Sequence, residues 1–499
     1  MGTLWSALES GDASAPALVA PEGARLTYGD LRAQVRRTAD ALAGLGVRPG
    51  DRVALVLPNG VEAVVGFLGA ALAGTAAPLN PGYTEEEFRF YLEDTSARVV
   101  IVPQGGGEAA RAALPDGAVL VEARQDPQSG FLLEQDGEVL SAGTAAEPAE
   151  PDIALILHTS GTTSRPKRVP LTHANLSASL ANIIATYELT PMDVSLCVMP
   201  LFHVHGLVAS TLATLGSGGT VVAPARFHPL RFWPVVEGEG ATWYSAVPTI
   251  HQLLLSRLRE GERPAGAASL RFVRSCSSAL AAETMLQLES RLGVPVLEAY
   301  GMTEASHQMA SNPLPPDPRL PGSVGRGTGV AVAIMDEAGE LLPTGTTGEV
   351  VIQGPNVTPG YESNPAANAA SFTNGWFRTG DLGALDAAGY LTLLGRIKEL
   401  INRGGEKISP REIDEVLLQH PAVAEAVSFG MPHATWGEEV AAAVVLQGEA
   451  NEAELQRHCR AHLAEFKCPR KIYLVEAIPR TATGKVQRRH VAAAFGGGS

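Results

Sequence analysis

Ile153-Ala154-Leu155-Ile156-Leu157-His158-Thr159-Ser160-Gly161-Thr162-Thr163-Ser164-Arg165-Pro166-Lys167 is the stretch on which the reading of this chain turns. Its first five residues form an unbroken apolar run, the pattern of a buried strand. Beyond it Thr172 can cap a helix, and Leu176, Leu180, Ile183, Ile184 and Tyr187 follow at helical spacing. Hydroxyl side chains, one glycine and two cations fill the gap between strand and helix. Such a loop can turn N–H groups, hydroxyls and positive charge towards one point, which suits a polyphosphate. A polar loop that is simply rich in Ser and Thr is the plainer alternative. The loop is not the phosphate cradle of the nucleotide hydrolases, because Pro166 stands where that motif needs glycine before its lysine.

Outside this stretch, 499 residues are too many for one core, so two or more domains are expected. A net charge of −15 argues against nucleic acid or an anionic membrane as the main partner, so a nucleotide must be held by local positive charge. Cys197, Cys276, Cys459 and Cys468 lack the paired spacing of a zinc site and read as reduced thiols. Met1 to Trp5 lacks the pattern of a signal peptide, and the apolar stretch Val61 to Ala77 carries Glu62 and three glycines, which fits a buried helix better than a membrane span. A cytoplasmic protein, monomeric or homodimeric, is expected.

Helical and strand signals alternate over residues 24–103: a helix opens at Tyr28, Arg52 to Leu57 is a strand, Val61 onward and Glu85 to Glu93 are helical, and Val99 to Val102 is a strand. That alternation predicts an α/β sheet covered by helices. Gly105 to Gly117 and Gly143 to Pro151 read as surface connections. From Gly348 short strands and turns take over, with a hairpin expected around Asp386-Ala387-Ala388-Gly389. Ser409-Pro410-Arg411-Glu412 reads as a capping box opening a helix, with strands at Ala426 to Phe429 and Val440 to Leu446 and a helix from Glu452 to Leu463. The expected architecture is α/β: a large N-terminal domain of layered sheets with a β-rich subdomain over residues 1–395, a hinge at 396–398, a small mobile α+β domain at 399–491 and a flexible tail at 492–499.

Chemistry-bearing residues are spread along this frame. Met199-Pro200-Leu201-Phe202-His203-Val204-His205-Gly206 holds two histidines, which a strand would point to opposite faces. With no third ligand at suitable spacing a metal site is rejected, and buried, hydrogen-bonded rings are the simpler reading of the segment alone. Arg274-Ser275-Cys276-Ser277-Ser278-Ala279 ends an apolar strand with small residues that let a flat ring lie against backbone, or else forms a tight turn into a helix. Glu304, after Tyr300-Gly301-Met302-Thr303, suggests Mg²⁺ if a phosphate lies beside it, though a glutamate here can also just start a helix. Asp381 can accept from sugar hydroxyls or serve a turn, and Lys485 sits on an exposed Gly-containing loop.

The order of these pieces is more telling than any one of them. Thr-Ser-Gly-Thr-Thr-x-x-Pro-Lys, Tyr-Gly-Met-Thr-Glu, Thr-Gly-Asp, Gly-Arg-x-Lys-Glu and Pro-Arg-Thr-x-x-Gly-Lys together resemble the adenylate-forming superfamily, from about Thr27 to Arg489. The resemblance implies that Thr159, Ser160, Gly161, Thr162, Thr163 and Lys167 hold the β- and γ-phosphates of ATP. It places Ser277, Ser278 and Ala279 beside adenine, Tyr300 on its face, and Asp381 and Arg396 on the ribose. Thr303 would touch the α-phosphate, Glu304 would bind Mg²⁺, and Lys485 would bridge the carboxylate and the α-phosphate. His203 would gate the acid pocket, Lys398 would be the hinge, and Gly404 and Gly405 would replace Lys485 and line the tunnel for coenzyme A in the second step. Ser164 and Arg168 depart from the glycines usual at those places, and altered loop mobility is expected there.

For the acid, the His203 segment, Ala241 to Gln252, Arg-Ser-Cys-Ser, Met-Thr-Glu-Ala-Ser-His and Ile-Asn-Arg-Gly-Gly-Glu-Lys-Ile-Ser-Pro resemble the oxalate–CoA ligases of plants and fungi. A small dianion needs polar donors for its second carboxylate, and Ser277, His307 and His203 can supply them. Malonate-activating relatives typically carry Arg where this chain has Ala299. Oxalate therefore ranks first, another short carboxylate second, and a medium-chain or aromatic acid third. An adenylating enzyme that loads a carrier protein in trans, and an adenylate-binding protein without ligase activity, are the readings of other kinds.

Overall fold

The computed structural model describes residues 2–21, 23–126, 130–159, 166–259, 261–480 and 486–495. Two large mixed sheets form its body. One has nine strands; its centre is parallel and runs Val296–Met302, Phe272–Ser275, Trp243–Ala246, Val194–Cys197, Thr220–Val222 and Pro16–Val19. The other has eight, with Ile153–Thr159, Thr75–Pro78, Arg52–Leu55, Ala97–Pro103 and Val119–Asp126 parallel at its centre. Except for Val119–Asp126, which is half polar and mostly only partly buried, these central strands are largely apolar and buried because helices cover both faces.

The main core lies between the two sheets, where the helices Tyr28–Gly44, Val61–Ala73 and His173–Tyr187 pack. In Val61–Ala73 every residue but Glu62 is buried, as expected of a core helix. Phe232–Glu239, Pro248–Leu255 and Ala282–Leu292 seal the far face of the nine-stranded sheet, and Glu85–Asp94 and Glu108–Ala112 that of the other. The last of these corrects the reading of Gly105 to Gly117 as bare connection: Ala110 is buried, and one apolar contact suffices to fold a turn of helix.

An antiparallel five-stranded sheet follows, built on Ala331–Met335, Gly348–Gln353 and the hairpin of Trp376–Leu385 with Leu391–Arg396. The final sheet, around Val423–His433 and Gly437–Leu446, has its own apolar clusters on its two faces. Two local expectations fail here. Ser409 precedes the helix Pro410–Leu418 but makes no side-chain cap; its hydroxyl donates instead to the Leu394 carbonyl at the end of the preceding hairpin. Residues 492–495 are not tail, since the helix Arg488–Phe495 continues through them and buries Val491 while Ala492 and Phe495 pack on the last sheet. All four cysteines are free and buried. Among the described residues no helix is long and apolar enough to cross a membrane.

Candidate active site

The strands Phe272–Ser275 and Val296–Met302 are parallel neighbours and end on one edge of the nine-stranded sheet. Beyond the first, Ser277 adopts a left-handed φ of 74°, which a non-glycine residue holds only when its surroundings fix it. Ser277, Ser278, Ala279, Tyr300, Gly301, Asp381 and Arg396 line a cavity of about 340 Å³. Asp381 and Arg396 are cross-strand partners in the hairpin, with Arg396 Nε 2.8 Å from Asp381 Oδ1, and the Tyr300 hydroxyl donates to Asp381 Oδ2. Burial and the Asp381 carboxylate push the Tyr300 phenol well up, so it stays a donor. Glu298, two residues before Tyr300, accepts from the Leu280 N–H at 3.0 Å and so holds the turn that carries Ala279. Burial raises its carboxyl to about 7, against the opposing charge of Arg411. Arg411, Asp414, Arg480 and Arg488 from the last sheet and its helices close the other wall, with Arg488 and Asp414 paired at 2.6 Å.

At the loop from which the sequence reading began, Thr159 ends one strand and Lys167 begins the next, and the two are register partners. The ends of the loop therefore meet, while Ser160, Gly161, Thr162, Thr163 and, on the distant loop, Lys485 lie outside the described residues. Lys167 Nζ stands 4.2 Å from the centre of the Tyr361 ring, whose hydroxyl donates to Glu304 Oε1 at 2.8 Å. Thr303 and Glu304 share one buried 3₁₀ turn. Burial pulls the Lys167 ammonium down; Glu304 opposes this, and Lys398 adds to it, so Lys398 reaches the same neighbourhood. Arg168, unusual at its place, is clamped between Glu362 at 2.8 Å and Asp94 at 3.2 Å, and Asp94 also binds His158 at 2.9 Å.

A third group lies deeper. His203 and His205 are not on a strand: the chain turns at Leu201–His203 and enters an eight-residue π-helix, His205–Leu212, buried throughout. The two rings therefore do not alternate across a sheet. His205 is fully engaged, with Nε2 2.7 Å from Ser245 Oγ and Nδ1 2.9 Å from Ser277 Oγ, whereas His203 is half-buried. The His307 ring centre is 5.3 Å from that of His205. His307 follows Ser306, both at positive φ (102° and 51°), and its backbone presses on Gly301, where an added Cβ would come 2.1 Å from the His307 carbonyl. Burial and the nearby Arg274 guanidinium push both imidazoles well down, so they are neutral donors and acceptors.

The structure thus brings together Ser277, Ser278, Ala279, Tyr300, Asp381 and Arg396 around one cavity, Lys167, Thr303 and Glu304 beside it, and His203 and His307 behind Ser277. Gly404 and Gly405 stand apart from that cavity's wall, in the turn between Ile401–Arg403 and Glu406–Ile408, with φ of 59° and 94°. Sequence reasoning missed the parts played by Tyr361, Glu298 and Arg274, although Glu298 and Arg274 each left a signal, a charged residue inside an apolar strand.

The family model described as AMP-binding enzyme matches residues 6–362, and that of the AMP-binding enzyme C-terminal domain matches 412–485. The chain belongs to the AMP-binding enzyme family, the adenylate-forming class that its fold and site define. It is 48% identical over 486 residues to an oxalate–CoA ligase of Arabidopsis thaliana, covering 94% of this chain and 93% of that one. It is 47% identical to the oxalate–CoA ligase of Saccharomyces cerevisiae, covering 89% and 87%. The crystal structure of ATP-bound MatB from Rhodopseudomonas palustris superposes with a TM-score of 0.89 at 32% identity, over 100% of this chain and 99% of that one.

Proposed function

We propose that oxalate is the acid activated by this ATP-dependent, AMP-forming acid–CoA ligase. One carboxylate oxygen attacks the α-phosphorus of ATP and expels pyrophosphate, giving the acyl adenylate. The thiolate of coenzyme A then attacks the acyl carbon and expels AMP. The observation that carries the choice of acid is the polar pair Ser277 and His307, backed by the fully bonded His205, near the Thr303–Glu304 turn, where an aliphatic acid would need an apolar lining. The two oxalate–CoA ligase relatives support the same choice.

In this reading Ser278, Ala279 and Tyr300 hold the base, Asp381 and Arg396 the ribose, and Thr303 the α-phosphate. Thr159 to Thr163 with Lys167 take the β- and γ-phosphates, His203 gates the acid pocket, and Lys485 bridges acid and phosphate in the first step. Glu304 keeps one oxygen beyond its bond to Tyr361, and a single carboxylate with substrate phosphates is a usual Mg²⁺ set, so Glu304 would hold the ion. When bound, Mg²⁺ neutralises phosphate charge during displacement. Residues 1–395 and 399–495 act as two bodies about a hinge at 396–398, which brings Gly404 and Gly405 to coenzyme A in the second step. The buried free thiols fit a reducing cytoplasm, and a monomer or homodimer is proposed. Pyrophosphate release with coenzyme A, compared across oxalate, malonate, acetate, hexanoate and benzoate, tests the assignment. Oxalate should give the highest kcat/KM; silence with oxalate and turnover of another acid would overturn it.

A further inference from the structure

Arg274 is wholly buried in the middle of the nine-stranded sheet, and among the described residues no carboxylate stands within ion-pair distance of it. The other arginines around the site, less buried than Arg274, are paired, Arg396 with Asp381 and Arg488 with Asp414. A buried guanidinium without an anion is expensive, and only neutral groups meet this one. Its Nε donates to the Tyr187 hydroxyl at 2.8 Å, and its terminal nitrogens donate to Ser245 Oγ at 2.9 Å, Gln308 Oε1 at 3.1 Å and His307 Nδ1 at 3.3 Å.

These bonds dictate where protons sit. Guanidinium can only donate, so His307 Nδ1 accepts and the ring carries its proton on Nε2. Ser245 accepts from Arg274, and the described partner left for its own proton is His205 Nε2. His205 therefore carries its proton on Nδ1 and donates to Ser277 Oγ, which leaves the Ser277 hydroxyl proton to point onward. The chain of bonds runs from a fixed cation to two donors, Ser277 and His307, with no freedom to reverse.

We propose that Arg274 is the specificity-determining positioning residue for the non-reacting end of the acid: it makes Ser277 and His307 obligate donors and supplies the charge that a second anionic group completes. This rests on the reading above that the acid lies against Ser277 and His307. The site then favours short acids with an anion at each end over monocarboxylates of the same size.

The test is ATP–pyrophosphate exchange with oxalate, malonate and sulfoacetate against glyoxylate and acetate, for the wild type, Arg274→Met, Ser245→Ala and Ser245→Thr. The ratio of kcat/KM for oxalate to that for glyoxylate should fall about 100-fold in Arg274→Met and about 10-fold in Ser245→Ala, the size of a lost charged or neutral hydrogen bond. The loss should lie in the KM for the acid, Ser245→Thr should restore the ratio, and Ser245→Ala should add nothing in a Ser277→Ala background. Equal falls for oxalate and glyoxylate would overturn the proposal. If Arg274→Met does not fold, Ser245→Ala, which leaves the charge in place, decides. A wild type that prefers malonate or sulfoacetate to oxalate removes the oxalate assignment while Arg274 is judged on that dianion; a wild type that prefers monocarboxylates overturns both.

Discussion

Asp381 takes a phenol on one oxygen and a guanidinium on the other, so its replacement frees two neighbours at once. Asp381→Ala should raise the KM for ATP by about 10- to 100-fold, measured by pyrophosphate exchange, with little change in the KM for the acid. Glu298 makes a pH prediction. Its carboxyl titrates near 7 in the folded chain and at the ordinary 4.5 when unfolded, so across that window the folded chain keeps a proton that the unfolded chain gives up. Stability must fall as pH rises from 4.5 to 7, by up to about 3 kcal/mol. Glu298→Gln should remove this slope in urea melts at pH 5 and pH 8, gaining stability at the higher pH. Little of this was legible beforehand. Asp381 and Tyr300 could be named because motif residues mark them, but Glu298 is only a polar position in an apolar run until the fold supplies Leu280 as its partner.

The helix His173–Tyr187 starts with a true capping box: Thr172 Oγ1 accepts from the Asn175 N–H at 3.1 Å and Asn175 Oδ1 accepts from the Thr172 N–H at 3.0 Å. Asn175 also donates to the carbonyls of Pro355 and Val357 at 2.8 and 3.0 Å, and nearby Thr358 donates its N–H to the Glu304 carbonyl at 2.7 Å. Thr172→Ala should cost about 1 kcal/mol in a urea melt and leave the KM for ATP alone. Asn175→Ala should cost about 2–3 kcal/mol and raise the KM for ATP as well, because it loosens the segment behind Glu304. Capping residues and apolar spacing made the regular elements readable from the chain. The π-helix at His205 was not readable, since its sequence fits a strand or an α-helix; in the fold Gly206 lies so close to the Met199 and Pro200 carbonyls that no side chain would fit there. Ser409 failed for a related reason, a distant carbonyl winning its proton.

At the scale of the whole molecule the two half-reactions should separate. Lys485→Ala should nearly abolish adenylate formation while thioester formation from preformed adenylate persists, and equal losses in both would remove Lys485 from the first step. Gly405 has φ of 94° and open space where a Cβ would go, whereas a Cβ on Gly404 would meet the Trp436 ring at 2.8 Å. Gly404→Ala should therefore lower stability, measured by thermal unfolding, and Gly405→Ala should slow the thioester step about 10-fold with adenylation nearly unchanged. The alternation of helices and strands could be anticipated from periodicity, because most central strands are short apolar runs. How Arg411, Arg480 and Arg488, from the C-terminal part of the chain, come to line the cavity beside Tyr300 and Asp381 could not, since no local pattern encodes the placement of one body on another. The buried cysteines have a consequence of their own. A mixed anhydride made in one step and consumed by a sulfur nucleophile in the next is open to attack by any thiolate within reach. Burial pushes Cys197 up to about 11, Cys459 up to about 12 and Cys468 upward, and Cys276, next to Ser277, is sealed from solvent. Burial of all four thiols therefore disfavours acylation of the protein's own sulfur.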